Sequence, residues 1–293
     1  MSELHPSHLS HPRTLGAQRY VYAVLSRRAG GISIGVNLSP HKACNFDCTY
    51  CQVDRRTPGA EKTVDLAVLR DELRATFAAA SSGALGAEAR FATAPAELRR
   101  VVDVAFSGDG EPTNEPWFPD AARIVHAERA AAGLAVPIRV ITNATVLHVR
   151  RVAETLRALD APGPGGAGLD VWAKLDAGTE AAYRLVDRSR VPFERVLANL
   201  LLCARERTTT VQSLFARHHG AAPAPEEIAA WAARLRDVRE GGGRIGWVQV
   251  HTVSRPPAES FVQPLTADEL ERIADAARAA LPDVPVVAYR GAA

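Results

Sequence analysis

Three of the four cysteines in this 293-residue chain fall within one short stretch, Asn37-Leu-Ser-Pro-His-Lys-Ala-Cys44-Asn-Phe-Asp-Cys48-Thr-Tyr-Cys51. A secreted disulfide protein spreads its cysteines to staple distant segments, whereas clustered thiols in a larger chain point to metal binding in a reducing compartment. Thiolates are the standard ligands of iron–sulfur clusters. Three of them on a four-iron cubane leave one iron without a protein ligand, open to a small chelating molecule. A structural zinc site is the other reading of the same text. It needs four ligands, and His41 supplies the fourth in the pattern H-x2-C-x3-C-x2-C. Cys203 stands apart in an apolar helical segment and reads as a packed thiol.

Further polar residues fall at the ends of apolar runs. In Phe106-Ser-Gly108-Asp-Gly110-Glu111-Pro112-Thr113 two glycines allow a tight turn and close approach to a ligand, and Glu111 adds a carboxylate. Asn143, in Thr142-Asn-Ala-Thr145, either contacts a ligand or caps a helix starting near Val146. Lys174 and Asp176 alternate in phase, so both project from one face of a strand. They form an ion pair or await a ligand, since buried charges need partners. Gln212, Gln249 and His251 are polar residues inside apolar strands, with Arg255 just beyond. No residue is singled out as catalytic.

The elements that position these residues follow from periodicity. Short runs rich in β-branched residues at 32–38, 101–107, 138–142, 169–175, 209–215 and 247–253 read as strands. Helical segments are predicted at 65–80, 119–132, 146–159, 193–206 and 225–240. A last helix opens at Thr266, and 284–289 reads as a final short strand or extended tail. The stretch 79–97 reads as a loop or marginal helix. Near-continuous apolar strands alternating with helices predict a parallel sheet covered by helices. Six such units fall short of the eight of a closed barrel, so the expected fold is α/β, a partial (β/α)6 TIM-like barrel. Residues 1–18, with His5, His8 and His11, read as a flexible arm, and 19–293 as the barrel domain.

Composition bounds the function. The chain is 47% hydrophobic and 23% charged, enough to bury a full core without a disordered bias. A net charge of +2 argues for neither nucleic acid nor membrane. There is no signal peptide at the start of the sequence and no run of the roughly 18 apolar residues that a membrane span needs, so the expected location is cytoplasmic.

Cys44, Cys48 and Cys51, with Tyr50 directly before the last, resemble the signature of the radical S-adenosylmethionine (SAM) superfamily. That resemblance implies a [4Fe–4S] cluster held by the three cysteines and SAM bound to the fourth iron. It also implies reductive cleavage of SAM to a 5′-deoxyadenosyl radical, which abstracts hydrogen from a substrate. The text Gly108-Asp-Gly110-Glu111 is similar to the family's glycine-rich element that receives the SAM amino group, although the family often has adjacent glycines there. Tyr50 is then placed near the adenine, and Asn143, Lys174 and Asp176 complete the pocket. Ala144 stands where the family frequently carries glycine. The branch most similar is that of iron–sulfur oxidoreductases related to the wyosine-type tRNA-modifying enzymes. Those use a second cluster, and the cysteines here do not suffice for another. The expected partners are SAM, a one-electron reductant such as flavodoxin or ferredoxin, and a small-molecule or RNA substrate, with no membrane. A non-enzymatic electron carrier or zinc-stabilised binding module is the alternative.

Overall fold

The computed structural model describes residues 15–59, 61–257 and 259–291. The expected arm 1–18, with its three histidines, therefore lies outside the described residues except for its last four. The contacts divide the chain into two compact units: Met1–Ala43, Arg55–Ile141 and Val149–Asp170 in the first, and Cys44–Asp54, Thr142–His148 and Val171–Ala293 in the second.

The first unit holds strands β1 (Val21–Ser26), β2 (Gly31–Val36), β3 (Val101–Phe106) and β4 (Ile138–Thr142), side by side in that order. From β2 onward these neighbours run parallel, while β1 pairs antiparallel with β2. All six residues of β2 are buried, as a strand covered on both faces requires. Helices α1 (Leu66–Ser81), α2 (Phe118–Ala131) and α3 (Arg150–Leu159) connect them. The Asp65 carboxylate caps α1 by accepting from the amides of Ala67 and Val68.

The second unit carries β5 (Leu169–Lys174, whose first residues belong to the first unit), β6 (Thr209–Leu214), β8 (Ile245–His251) and β10 (Val286–Tyr289), all parallel. Helices α5 (Phe193–Glu206), α6 (Pro225–Glu240) and α7 (Ala267–Ala280) link successive strands, and α7 opens with a reciprocal capping box between Thr266 and Glu269. A small antiparallel pair, β7 (Arg217–His218) with β9 (Val262–Gln263), stands outside the main strands.

All seven parallel strands coincide with runs read from the sequence, and α5 and α6 have the expected bounds. The periodicity predicts neither the antiparallel strand β1 nor the β7–β9 pair, and the structure adds detail elsewhere. Residues 146–149 form a turn, so α3 starts at Arg150 behind Val149, and Asn143 does not cap it. Segment 79–97 continues α1 to Ser81 and then makes two 3-10 turns, Ala89–Phe91 and Ala96–Leu98. A further helix, α4 (Glu180–Val186), was not expected; at seven residues it is too short for periodicity to register. Among the described residues, no helix is long and apolar enough to cross a membrane.

Candidate active site

In the second unit the cysteine loop is tied down by main-chain and side-chain bonds. The amides of Asp47 and Thr49 donate to the carbonyls of Asp187 and Val186, at 3.0 and 2.8 Å, so the loop docks on the end of α4. Ser189 Oγ donates to Asn45 O at 3.0 Å, and Phe46 meets Tyr183 of α4 edge-on with centroids 5.6 Å apart. Tyr183 in turn stacks on Phe193, and burial pushes its phenol up to about 12. Thr49 Oγ1 and His218 Nε2 lie 2.8 Å apart.

Asn143 joins this anchoring. Its Nδ2 donates to Asn45 Oδ1 at 2.7 Å, Asn45 Nδ2 donates to Thr145 Oγ1 at 2.7 Å, and Thr145 Oγ1 donates to Asn143 Oδ1 at 2.7 Å. Three side chains thus close a ring of hydrogen bonds between the cysteine loop and the turn after β4. Ala144, inside that turn, is fully buried at φ 63°, a left-handed conformation that strains any residue with a Cβ. Asn199 of α5 holds it there by donating to its carbonyl at 2.7 Å.

None of the four cysteines is in a disulfide; Cys44, Cys48 and Cys51 are half-buried, whereas Cys203 is buried within α5. Lys174, the last residue of β5, reaches Cys48 Sγ at 3.2 Å. The same ammonium pairs with Asp176 at 3.1 Å and with Asp187 at 3.6 Å, and lies over the rings of Phe46 and Tyr50 at 5.2 and 5.0 Å. The Tyr50 hydroxyl donates to Asp176 Oδ2. Burial alone would lower Lys174, but Asp176, Cys48, Tyr50 and Asp187 outweigh it and hold the ammonium well above its usual range. Burial pushes Cys48 and Tyr50 well up, Lys174 opposing in both. It raises Asp187 to about 7, again against Lys174. The ion pair read from the phase of Lys174 and Asp176 is present, and Asp187 makes it a triad.

In the first unit the glycine turn follows β3. A Cβ on Gly108 would overlap Asn37 Oδ1, and one on Gly110 would overlap Ala43 O, the residue that immediately precedes Cys44. Both positions exclude larger residues because backbone and side chains approach so closely. Asn37 organises the turn: its Nδ2 donates to Asp109 Oδ2 at 2.7 Å, and its Oδ1 accepts from the amides of Asp109 and Ser39, each at 3.1 Å. Glu111 is buried, and Oε1 accepts from the Thr113 amide and hydroxyl at 3.1 and 2.5 Å, which fixes its carboxylate. His41, the candidate fourth zinc ligand, instead pairs with Glu115 at 3.1 Å.

The structure therefore brings together Cys48, Tyr50, Lys174 and Asp176 within one unit, adds Asn143 at the base of the same loop, and groups Gly108, Gly110 and Glu111 in the other. Sequence reading missed Asn37, Asn45, Asp187 and Ser189. Asn37 carried a usable signal, since it ends a strand directly before the cysteine text; Asp187 carried none. Among the described residues, no three His, Cys, Asp or Glu side chains are grouped to hold a single metal ion. A cubane does not ask for that, because each thiolate binds its own iron. Three cysteines on one anchored loop, none in a disulfide, match the donor set of such a cluster.

No protein-family model matches the chain. Among curated proteins it is 24% identical over 193 residues, 64% of its length, to a "GTPase Obg" of Brachyspira hyodysenteriae, but spans only 23% of that protein. The sequence contains no Gly-Lys-Ser/Thr text of a phosphate-binding loop, so that likeness brings no GTPase reading with it. It is 23% identical over 256 residues to the "UPF0026 protein MJ1312" of Methanocaldococcus jannaschii, covering 85% of this chain and 68% of that one. Among solved structures it superposes on TYW1 with a lysine-pyruvate adduct bound at a TM-score of 0.52 and 17% identity, covering 86% of this chain and 74% of that one. It superposes on Streptococcus suis SuiB bound to S-adenosylmethionine at 0.54 and 11%, covering 90% and 49%. Both are radical SAM enzymes, and the fold shared with them is a partial α/β barrel of mostly parallel strands.

Proposed function

We propose that this chain is a radical SAM enzyme whose single barrel domain spans 19–293. The observation that carries the reading is the anchored loop of three cysteines following β2, none of them in a disulfide, in a chain with the fold of radical SAM enzymes. Cys44, Cys48 and Cys51 are the ligands of a [4Fe–4S] cluster, and SAM takes the remaining iron. When bound, these would supply reductive cleavage of SAM and, through the resulting 5′-deoxyadenosyl group, hydrogen abstraction from the substrate. Flavodoxin or ferredoxin fits the one-electron donor.

The chain's own residues bind and position. Hydrogen bonds from Asp47, Thr49 and Asn143 and to Asn45 O fix the cysteine loop before any cofactor arrives. Lys174 sets a positive charge beside Cys48, which favours the thiolate that iron requires. Asp176, held by Tyr50 and by the Leu214 amide at 2.8 Å, is a fixed acceptor for a ligand hydroxyl or amine. Gly108 and Gly110 leave room for a backbone approach to the methionine end of SAM, and Glu111, aimed by Thr113, receives its ammonium. The likeness to TYW1 supports the branch of wyosine-type tRNA-modifying enzymes. Cys203 is the one cysteine of this sequence outside the loop, so the chain supplies ligands for one cluster of this kind. The substrate is a small molecule or an RNA.

The test is anaerobic reconstitution with iron and sulfide, addition of SAM and dithionite, and chromatographic measurement of 5′-deoxyadenosine, with Cys48→Ala alongside. Formation by the parent and its loss in the variant are expected. An assembled four-iron cluster that leaves SAM intact would replace this reading with an electron carrier, and bound zinc in place of iron with a zinc-stabilised module.

A further inference from the structure

One polar feature of the second unit has no part in the reading above. Gln212 on β6 stands in register with Lys174 on β5 and with Gln249 on β8. Register partners in a parallel sheet project from the same face, so Lys174, Gln212 and Gln249 form one lateral row across three strands. The row begins at the cluster loop, because Lys174 reaches Cys48. Behind it, on the other face of the sheet, Val211, Val248 and Val250 are all fully buried.

The two amides are 4% and 0% exposed, and Gln212 Nε2 donates to Gln249 Oε1 at 2.8 Å. Gln249 is thereby oriented with its own Nε2 buried and without an acceptor. An unsatisfied buried donor destabilises the fold, and a methionine of similar shape would avoid that cost. A donor held in place by a neighbouring amide and left unmatched is the arrangement of a site that awaits an acceptor. One pleat further along the same strands, Asp176 and Leu214 line a mostly apolar cavity of about 440 Å³ together with Tyr50. That cavity lies beside the row, and neither glutamine lines it.

We propose that the Gln212–Gln249 pair is a recognition site for a carbonyl or carboxylate oxygen, with Gln249 Nε2 as its donor and Gln212 as the residue that aims it. Its role as the anchor for the substrate's acceptor group rests on the radical SAM reading. The substrate class is then a molecule with a C=O or carboxylate group, held on the face of the sheet from which Lys174 reaches Cys48.

Acetate and acetamide serve as probes, with binding followed by saturation-transfer NMR on the full chain. Variants Gln249→Met, Gln249→Glu and Gln212→Met are compared, each first shown to be folded by its urea midpoint. Wild type is expected to bind both probes. Gln249→Met is expected to weaken both by about tenfold, the scale of one lost hydrogen bond. Gln249→Glu keeps acetamide, whose N–H₂ now donates, and loses acetate. Gln212→Met weakens both probes by less than Gln249→Met, since it removes only the aim. Affinities in Gln249→Met within twofold of wild type, or no binding of either probe by wild type, overturn the site. 5′-Deoxyadenosine formation by wild type reports separately on the radical SAM reading: probe binding without it keeps the oxygen site and removes that reading, and the converse removes the site alone.

Discussion

Replacing Lys174 by methionine tests the charge arrangement at the cysteine loop. The ammonium lies 3.1 Å from Asp176 and 3.6 Å from Asp187, whose side chains are 1% and 3% exposed. At an effective dielectric near 20 each attraction is about 5 kcal/mol before desolvation is subtracted. Burying three charged groups opposes most of that gain, so the pair attractions do not sum to stability. Removing the cation is different, because it strands two buried carboxylates, and breaking a buried pair this way typically costs about 3–5 kcal/mol. Asp187 already lies near 7 and takes up a proton readily, which limits the loss to the lower end, about 3 kcal/mol. Urea unfolding of the metal-free chain, followed by circular dichroism, measures it. Adding Asp187→Asn to Lys174→Met is expected to recover at least about 1 kcal/mol, giving a coupling of that size in the double-mutant cycle. A loss below about 1 kcal/mol for Lys174→Met, or additive effects at the two positions, refutes the reasoning.

Ala144→Gly is expected to stabilise the chain by about 0.5–1 kcal/mol, because relief of left-handed strain exceeds the added flexibility of the unfolded chain; an unchanged or lower urea midpoint contradicts it. Gly110→Ala forces its Cβ against Ala43 O and displaces the entry to the cysteine loop. Iron incorporation on reconstitution is expected to drop severalfold while circular dichroism stays that of a folded protein; full incorporation removes the steric argument. His218 titrates below its ordinary 6.5 because of burial, with His219 and Arg188 adding to the shift and the Ala216 backbone opposing it. The unfolded chain then binds more protons, so this contribution is complete above about pH 6.5 and is lost as pH falls through the depressed value. His218→Gln is therefore expected to flatten the decline of unfolding free energy between about pH 7 and pH 5, and an equally steep decline excludes His218 as a source.

The sequence by itself determined the chemistry-bearing loop and most of the scaffold. Spacing alone marks Cys44, Cys48 and Cys51 as a candidate ligand set, because three thiols this close along the chain have few structural alternatives. Apolar runs of β-branched residues located β2, β3, β4, β5, β6 and β8, since strands covered on both faces must be largely apolar, and the half-exposed edge strand β10 fell in a further apolar run. The phase of Lys174 and Asp176 was legible for the same reason, as alternation fixes the face of a strand. Tertiary structure alone decided what surrounds them. Asp187 meets Cys48 from 139 residues away and α4 receives the cysteine loop, contacts that no local period encodes. Of the two roles open to Asn143 from sequence, ligand contact or helix cap, the cap is removed and the side chain joins a closed ring with Asn45 and Thr145, because that choice depends on which backbone comes near it. The alignment of Gln212 with Gln249 likewise needed the register of two strands. Local sequence fixes the face a side chain takes, and the pairing of distant strands fixes its neighbours.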